Sequence, residues 1–383
     1  MQKILFIIPD LAHGGTVSQL TLLAGGLPRD QFEPCVCVLG KDGPAGPLLR
    51  ALGLRLEVFG WARLVDPQPL WRLRQRVQTL RPTLIHAWQP AAIRAAGLAT
   101  LLSRTPDRAM TPPPTVVSAP FGRGGHEARW AWLDQWLLRR ADCVVLAGPA
   151  EEELCRQLAL PPDKIEHVPA GVAVPASASE VRHSSGGSRA RLVPAVPATA
   201  RVLMGVGPLE PHKGFRDAIW AFDILRYLYD DLHLVLAGDG TDRARLERFA
   251  GAIGVAPRVH FLGTRLDVPA LLAEADVVVV PSLTAGGVNA ALEAMAAGRP
   301  VVAARVPDLG QVVRDGATGF LFPPGDKVAL ARQVRVLLED SGLRGRLGQA
   351  GRDRARAHFA APDLVRRFSR LYAALSSRPA ALV

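Results

Sequence analysis

The segment Pro281-Ser-Leu-Thr-Ala-Gly286-Gly287-Val288-Asn289-Ala-Ala-Leu292-Glu293-Ala-Met295 carries the residue types best suited to chemistry. Four valines precede it, and its two glycines stand directly before a helical pattern. Glycine lets a ligand lie against the backbone, and the first N–H groups of a helix have no intrahelical acceptor. Such a terminus suits a diphosphate. Glu293 lies six residues beyond Gly287, roughly 9 Å along a helix at ~1.5 Å per residue. That is a reach from phosphates to the hydroxyls of a ribose. A carboxylate in so apolar a stretch needs a partner, because an unpaired buried charge is costly.

Two further places fit an anion. Lys213 sits in Gly207-Pro-Leu-Glu-Pro-His-Lys213-Gly214, at a predicted helix start. There it is either a compact point charge for phosphate or a solvated surface lysine. Gly14-Gly15 follows the first apolar run, and reads as a ligand-approach loop or an ordinary strand-to-helix turn. Neither matches G-x-G-x-x-G, so nicotinamide binding has little support. The nine histidines show no metal-ligand spacing, and no G-x-S-x-G turn supports a serine nucleophile.

These residues are spaced by a repeating pattern of short apolar runs and helical stretches. Runs at 3–8, 33–39, 55–59, 83–87, 115–118, 142–146 and 164–168 alternate with helices such as 69–80 and 127–140. The pattern restarts at Arg201 with runs at 232–237, 259–262, 276–280, 301–303 and 319–322. Strand alternating with helix predicts an α/β fold with a parallel sheet covered on both faces. Ligands of such sheets bind beyond the carboxyl ends of the strands. We therefore expect a first domain over 1–173, a second over 201–361, and a Ser-, Ala-, Pro- and Gly-rich linker or disordered insertion over 174–200. A final helical pattern in 362–383 is expected to pack back on the first domain.

Composition bounds the partners. The chain has 383 residues, 49% hydrophobic and 21% charged, which excludes global disorder. Its net charge is +11, and only five of its 46 basic residues are Lys. Such a surface attracts phosphorylated ligands, acidic lipid or nucleic acid. No nucleic-acid motif is present, so we expect no nucleic acid as partner. Cys35, Cys37, Cys143 and Cys155 are too few for a disulfide framework and read as core thiols of a reducing compartment. Without a signal-peptide pattern or a long apolar stretch, the expected location is cytoplasmic, with peripheral contact to an anionic membrane as an option. Trp130, Trp132 and Trp136, beside Arg129, Arg139 and Arg140, recur at helical spacing. They read as core plus a solvated face, or as a membrane contact.

Taken in order, the motifs resemble glycosyltransferase family 4. That family carries Gly-Gly after its first strand, Gly-Arg-Leu-x-x-x-Lys-Gly, Ala-Gly-x-Gly, Phe-Leu-Gly, and a long Pro-Ser … Leu-Glu-Ala-Met-Ala-x-Gly-x-Pro-Val-Val segment. This chain has Gly14-Gly15, Gly207 … Lys213-Gly214, Ala237-Gly238-Asp239-Gly240, Phe261-Leu262-Gly263, and Pro281-Ser282 … Leu292-Glu293-Ala-Met-Ala-Ala-Gly298-Arg-Pro300-Val-Val302. Asp315-Gly316 … Gly319 and Pro323-Pro-Gly-Asp326 complete the match.

The resemblance implies two Rossmann-like domains facing across a cleft (GT-B), and a retaining transferase that uses a nucleotide sugar. The acceptor would be a glycan, a lipid-linked molecule or a small molecule, with no metal and no cofactor required. It implies Lys213 on the diphosphate and Glu293 on the ribose hydroxyls. Backbone at Gly286, Gly287, Val288 and Asn289 would meet phosphate or sugar. Gly15 would approach the donor, and Thr264 would lie near the base. Pro208 and Ala285 stand where the family has Arg and Glu. The family His after the fifth strand is also unmatched, and Arg123 and His126 are candidate substitutes. A binding or scaffold protein with impaired catalysis is therefore the alternative.

Overall fold

The computed structural model describes residues 1–12, 14–61, 67–102, 113–118, 131–175 and 193–377. The chain divides into two compact units. The first is Met1–Pro169 joined by the stretch from Pro362 onward, and the second is Ala170–Ala361.

In the first unit the strands are β1 (Gln2–Ile8), β2 (Phe32–Val38), β3 (Arg55–Val58), β4 (Leu84–Trp88), β5 (Thr115–Ser118), β6 (Cys143–Leu146) and β7 (Ile165–His167). They form one sheet in the order β3-β2-β1-β4-β5-β6-β7, and every pairing is parallel. The order reverses between β1 and β4, which opens a crevice at the carboxyl ends of those two strands.

The unbroken apolar run of β1 follows from burial on both sides. Ile4, Phe6 and Ile8 share one core with Leu20 and Leu23 of α1 (Gly15–Gly26). The same core takes Leu364, Phe368, Tyr372 and Leu375 from the C-terminal helix Ala361–Ser376. Leu5 and Ile7 face the opposite core, with Leu73, Ile93 and Leu137 from helices Pro67–Leu80, Gln89–Leu102 and Ala131–Arg140. On Ala131–Arg140 the core-facing side chains are leucines, while Trp132 and Trp136 are exposed. Trp130 lies outside the described residues.

The second unit repeats the plan. Its strands are β8 (Arg201–Val206), β9 (Leu232–Ala237), β10 (Val259–Phe261), β11 (Val277–Val280), β12 (Val301–Ala304) and β13 (Gly319–Phe322), in the order β10-β9-β8-β11-β12-β13. All of these pairings are parallel too. The reversal here falls between β8 and β11.

The sequence reading of 174–200 as a linker is corrected at both flanks. Val193, Val196 and Ala200 are buried in the core of the second unit, as are Ala170 and Val172. Val172 donates its N–H to Phe359 O, and Arg352 Nη2 donates to Pro175 O at 2.6 Å. Apolar side chains spaced through a Pro- and Ala-rich stretch found a core, and composition alone did not show it. Residues 176–192 lie outside the described ones. The boundary falls at Pro169, and the last helix joins the first unit through its apolar stripe.

Glycines let the carboxyl ends of the second sheet crowd together. Gly238 has φ +152, and a Cβ there would stand 1.9 Å from Gly207 O. Backbone cannot yield as a flexible side chain can, and this φ is strained for an L side chain. Gly238→Ala should therefore destabilise the protein by about 2 kcal/mol or more. The check is a lower urea midpoint, with Gly251→Ala, at a helical glycine that has open space, as control.

Candidate functional site

The site is built at the carboxyl ends of β8 and β11. β8 ends at Val206, and the chain passes Gly207 into a single 3-10 turn, Pro211–Lys213. Lys213 N–H bonds Glu210 O at 2.9 Å. Gly214 then takes φ +70 and starts the helix Phe215–Leu225. A Cβ at Gly214 would lie 2.0 Å from Pro281 O. The missing side chain is thus what lets the lysine turn sit on the end of β11. Leu283 N–H donates to His212 O at 2.9 Å and ties the two loops together.

From β11 the chain passes the buried Pro281 and Ser282 to Gly286 and Gly287, with φ +117 and +85. A Cβ on Gly286 would meet Lys213 Nζ at 2.8 Å, so the ammonium lies against the glycine backbone. Gly287 caps the helix Val288–Ala296, and no side chain caps that terminus. The first helical bond is from Ala291 N–H to Gly287 O. The preceding N–H groups carry the positive end of the helix dipole. One lysine and one helix terminus therefore meet at a pair of glycines.

Glu293 lies one turn further along that helix, partly buried among Leu292, Ala294 and Met295. Among the described residues its carboxylate has no hydrogen bond and no ion pair. Burial pushes its carboxyl up to about 7. Lys213 is displaced the opposite way for the same reason: burial lowers its pKa, and Glu210 only partly opposes this. His212 is lowered by burial and by Lys213, against Glu210 at 3.3 Å. These groups bear an unmet electrostatic cost. An anion beside Lys213, and hydroxyls donating to Glu293, would relieve it.

Lys213, Gly286, Gly287, Val288, Asn289 and Glu293 are thus brought together. Thr264 is exposed, in the turn after β10 on the same sheet edge. Its neighbour Gly263 accepts a hydrogen bond from Gly238 N–H at 2.8 Å. Beyond it Arg265 grips Asp267 in a bidentate pair that holds the carboxyl below its ordinary value. Gly15 belongs to the first unit, where it opens α1 at that sheet's own switch point. Ala285 is exposed directly before Gly286, so the carboxylate expected there is missing beside the ammonium. Arg123 and His126 lie outside the described residues. Among the described residues no cluster of three His, Cys, Asp or Glu could hold a metal ion.

Comparison with known proteins decides the family. Residues 13–174 match the profile described as Glycosyltransferase Family 4, and residues 190–354 match Glycosyl transferases group 1. The chain belongs to glycosyltransferase family 4.

Among its relatives is the lipopolysaccharide core biosynthesis glycosyltransferase LpsE of Rhizobium meliloti strain 1021. It is 34% identical over 183 residues, 48% of this chain and 52% of LpsE. The putative glycosyltransferase EpsD of Bacillus subtilis strain 168 is 26% identical over 329 residues, 81% of this chain and 82% of EpsD. The D-inositol 3-phosphate glycosyltransferase of Salinispora tropica is 39% identical over 173 residues, 42% of this chain and 36% of that protein. The chain thus matches about half the length of LpsE and about a third of the Salinispora protein. Anabaena HepE, solved with UDP and glucose, superposes with TM-score 0.82 over 98% of this chain and 100% of HepE, at 22% identity. WaaG, a glycosyltransferase of lipopolysaccharide biosynthesis, gives 0.69 over 98% and 100%, at 16%. The shared architecture is GT-B.

Family 4 motifs located this site, but three groups in the first unit escaped the sequence reading. His86, Ser118 and Gln89 sit at or near the carboxyl ends of β4 and β5. Their only sequence signal is a polar residue within or just after an apolar strand.

Gly286→Ala tests the geometry. The added methyl would push on Lys213 Nζ at a backbone angle that favours glycine. We expect affinity for UDP to fall by about tenfold or more in calorimetry, the loss of about one charge-assisted contact. Unchanged affinity would separate Lys213 from the anion site.

Proposed function

We propose that this chain is a retaining glycosyltransferase that moves a sugar from a nucleotide-sugar donor to a glycan, lipid-linked or small-molecule acceptor. The observation that carries the reading is the meeting of Lys213 with the uncapped Gly286–Gly287 helix terminus, one turn from a partly buried carboxyl without a partner. In the reaction the bond from the anomeric carbon to the diphosphate oxygen breaks. An acceptor oxygen forms the new bond, and its proton passes to the departing diphosphate. Negative charge grows on the departing diphosphate. Lys213 and the backbone N–H groups of Gly287 and Val288 are fixed in place to meet it, so little reorganisation is needed. The ribose hydroxyls donate to Glu293, and the turn at Thr264 lies against the base. The reading requires no bound metal and no cofactor.

The relatives support this class. HepE was solved with UDP-glucose, LpsE is named for lipopolysaccharide core biosynthesis, and the Salinispora protein for an inositol phosphate acceptor. A cytoplasmic place beside an anionic membrane fits the exposed Trp71, Trp132 and Trp136. Arg140 stacks on the Trp136 ring at 4.5 Å, an amphipathic, cationic pairing suited to a headgroup layer. Among the described residues no helix is long and apolar enough to cross a membrane.

The second reading, a nucleotide-sugar binder with impaired transfer, rests on Pro208 and on the exposed Ala285 beside Lys213. UDP release from UDP-glucose, with and without an acceptor panel, separates the two. Binding without release, with release restored in Ala285→Glu, would favour the second.

Two outcomes follow for the donor. Lys213→Met should weaken UDP-glucose binding by about 10- to 100-fold in calorimetry, because one buried charge-assisted contact is lost. Glu293 makes binding pH-dependent. Its carboxyl is raised from 4.5 to about 7 in the folded chain, and only the ionised form accepts both ribose hydroxyls. Affinity should therefore rise as pH climbs through 7. Stability without ligand should run the other way. The folded state holds the extra proton between 4.5 and 7, so stability declines across that window and levels off above it. Glu293→Gln should flatten both profiles, and a pH dependence that survives in this variant would reassign it to another group.

A further inference from the structure

A polar chain unrelated to the diphosphate site runs through the first unit. Tyr372 Oη lies 2.6 Å from His86 Nδ1, and His86 Nε2 lies 2.8 Å from Ser118 Oγ. The three residues come from the C-terminal helix, β4 and β5. His86 and Tyr372 are fully buried, and Ser118 is 8% exposed. The His86 ring packs among Phe6, Trp88 and Phe368. Burial holds the imidazole neutral, at about 3, and drives the phenol far above its ordinary value.

Donor counting fixes the direction of this chain. A neutral imidazole carries one N–H and one acceptor nitrogen. Tyr372 Oη has His86 as its sole hydrogen-bond partner among the described residues. If His86 donated to it, the phenol proton would face only the Cys143 thiol, a weak acceptor, in otherwise apolar surroundings. Tyr372 therefore donates to Nδ1. The remaining proton lies on Nε2, and Nε2–H donates to Ser118 Oγ. The Ser118 hydroxyl proton is then left over, and no described residue accepts it. An unpaired, nine-tenths-buried hydroxyl donor is costly in a folded protein unless water or a ligand uses it.

Its location suits a ligand. Ser118 is the last residue of β5 and pairs in register with Trp88 at the end of β4. Gln89 follows Trp88 with φ +73. The two other described non-glycine residues with positive φ, Arg81 and Ala159, follow helix ends, where that conformation is usual. Gln89 instead opens a helix directly after a strand, and donates Nε2–H to Thr16 Oγ1 at 3.1 Å. Backbone strain of this kind collects at functional positions. It lies here at the switch point between β1 and β4.

We propose that Ser118 is a substrate-binding residue whose hydroxyl donates to an acceptor-sugar oxygen, and that His86 and Tyr372 are positioning residues that orient it. The identity of the ligand rests on the glycosyl-transfer reading, whereas the direction of the hydrogen-bond chain does not.

The test uses the full chain labelled with ¹⁵N-histidine. Long-range ¹H–¹⁵N spectra should show His86 as the Nε2–H tautomer from pH 5 to pH 9. Tyr372→Phe should mix or reverse the tautomers, because Nδ1 loses its donor, while Ser118→Ala should keep them. Methyl glucoside, galactoside and mannoside then serve as probes. At least one should shift the His86 Nε2–H resonance in the natural protein. Ser118→Ala should weaken that glycoside about tenfold, for one hydrogen bond, and leave UDP-glucose affinity unchanged. An Nδ1–H tautomer overturns the proposal. So does the absence of a shift with all three glycosides, or equal glycoside affinity in Ser118→Ala. If UDP-glucose fails to bind the natural protein while the tautomer and glycoside results hold, the transfer reading falls and the Ser118 site stands.

Discussion

A half-buried lysine with no ion pair among the described residues organises the second unit. The Lys213 ammonium lies against the Gly286 backbone, and its surroundings disfavour its own charge. Three glycines make this possible. Gly214 brings the lysine turn onto Pro281, Gly286 leaves room for Nζ, and Gly287 starts the helix with no side chain over its end. Gly214 and Gly286 each remove a methyl group where backbone or charge must pass, and a Cβ at Gly287 would press on the Val280 and Ser282 side chains. The result is a concentration of positive potential fixed by covalent geometry rather than by flexible side chains, and such potential is preorganised for an anion. Glu293, on the same helix, is the complementary case: a carboxyl held in apolar surroundings with no side-chain partner among the described residues.

The large positive charge of the chain is partly consumed inside the fold. Arg352 caps the carbonyl of Pro175, Arg354 those of Val312 and Gln311, and Arg258 those of Tyr229 and Asp230. Arg94, almost fully buried, is clamped by Asp134. The planar fork of arginine suits such work, and lysine would do it poorly. These guanidinium groups are structural, so net charge overstates the surface available to anionic partners.

Both α/β sheets, their strand positions and the meeting of Lys213 with the Gly286–Gly287 helix terminus were legible because each has a local signal. Apolar runs mark strands buried on two faces, and paired glycines before a helix mark a phosphate terminus. Other features had no local signal. Val193, Val196 and Ala200 pack the second core from within a stretch whose composition resembles a linker. The tryptophans of 131–140 lie outward because neighbouring leucines take the core, and periodicity alone does not rank two apolar stripes. The His86–Tyr372 contact spans 286 positions. No spacing rule reaches that far, and only the return of the last helix creates it.

That return makes the first unit discontinuous in sequence. Tyr372, Phe368 and Leu364 fill its core, yet they are synthesised after the entire second unit. During translation the amino-terminal sheet must wait with one face only partly covered, its strand histidine lacking the phenol it pairs with. The second unit, whose residues are contiguous, can finish first, an inversion of the usual amino-to-carboxyl order of domain folding. A ribosome-released fragment ending near residue 360 would thus present an apolar trough to chaperones and proteases, and loss of a few terminal turns would reach all the way to the central strands.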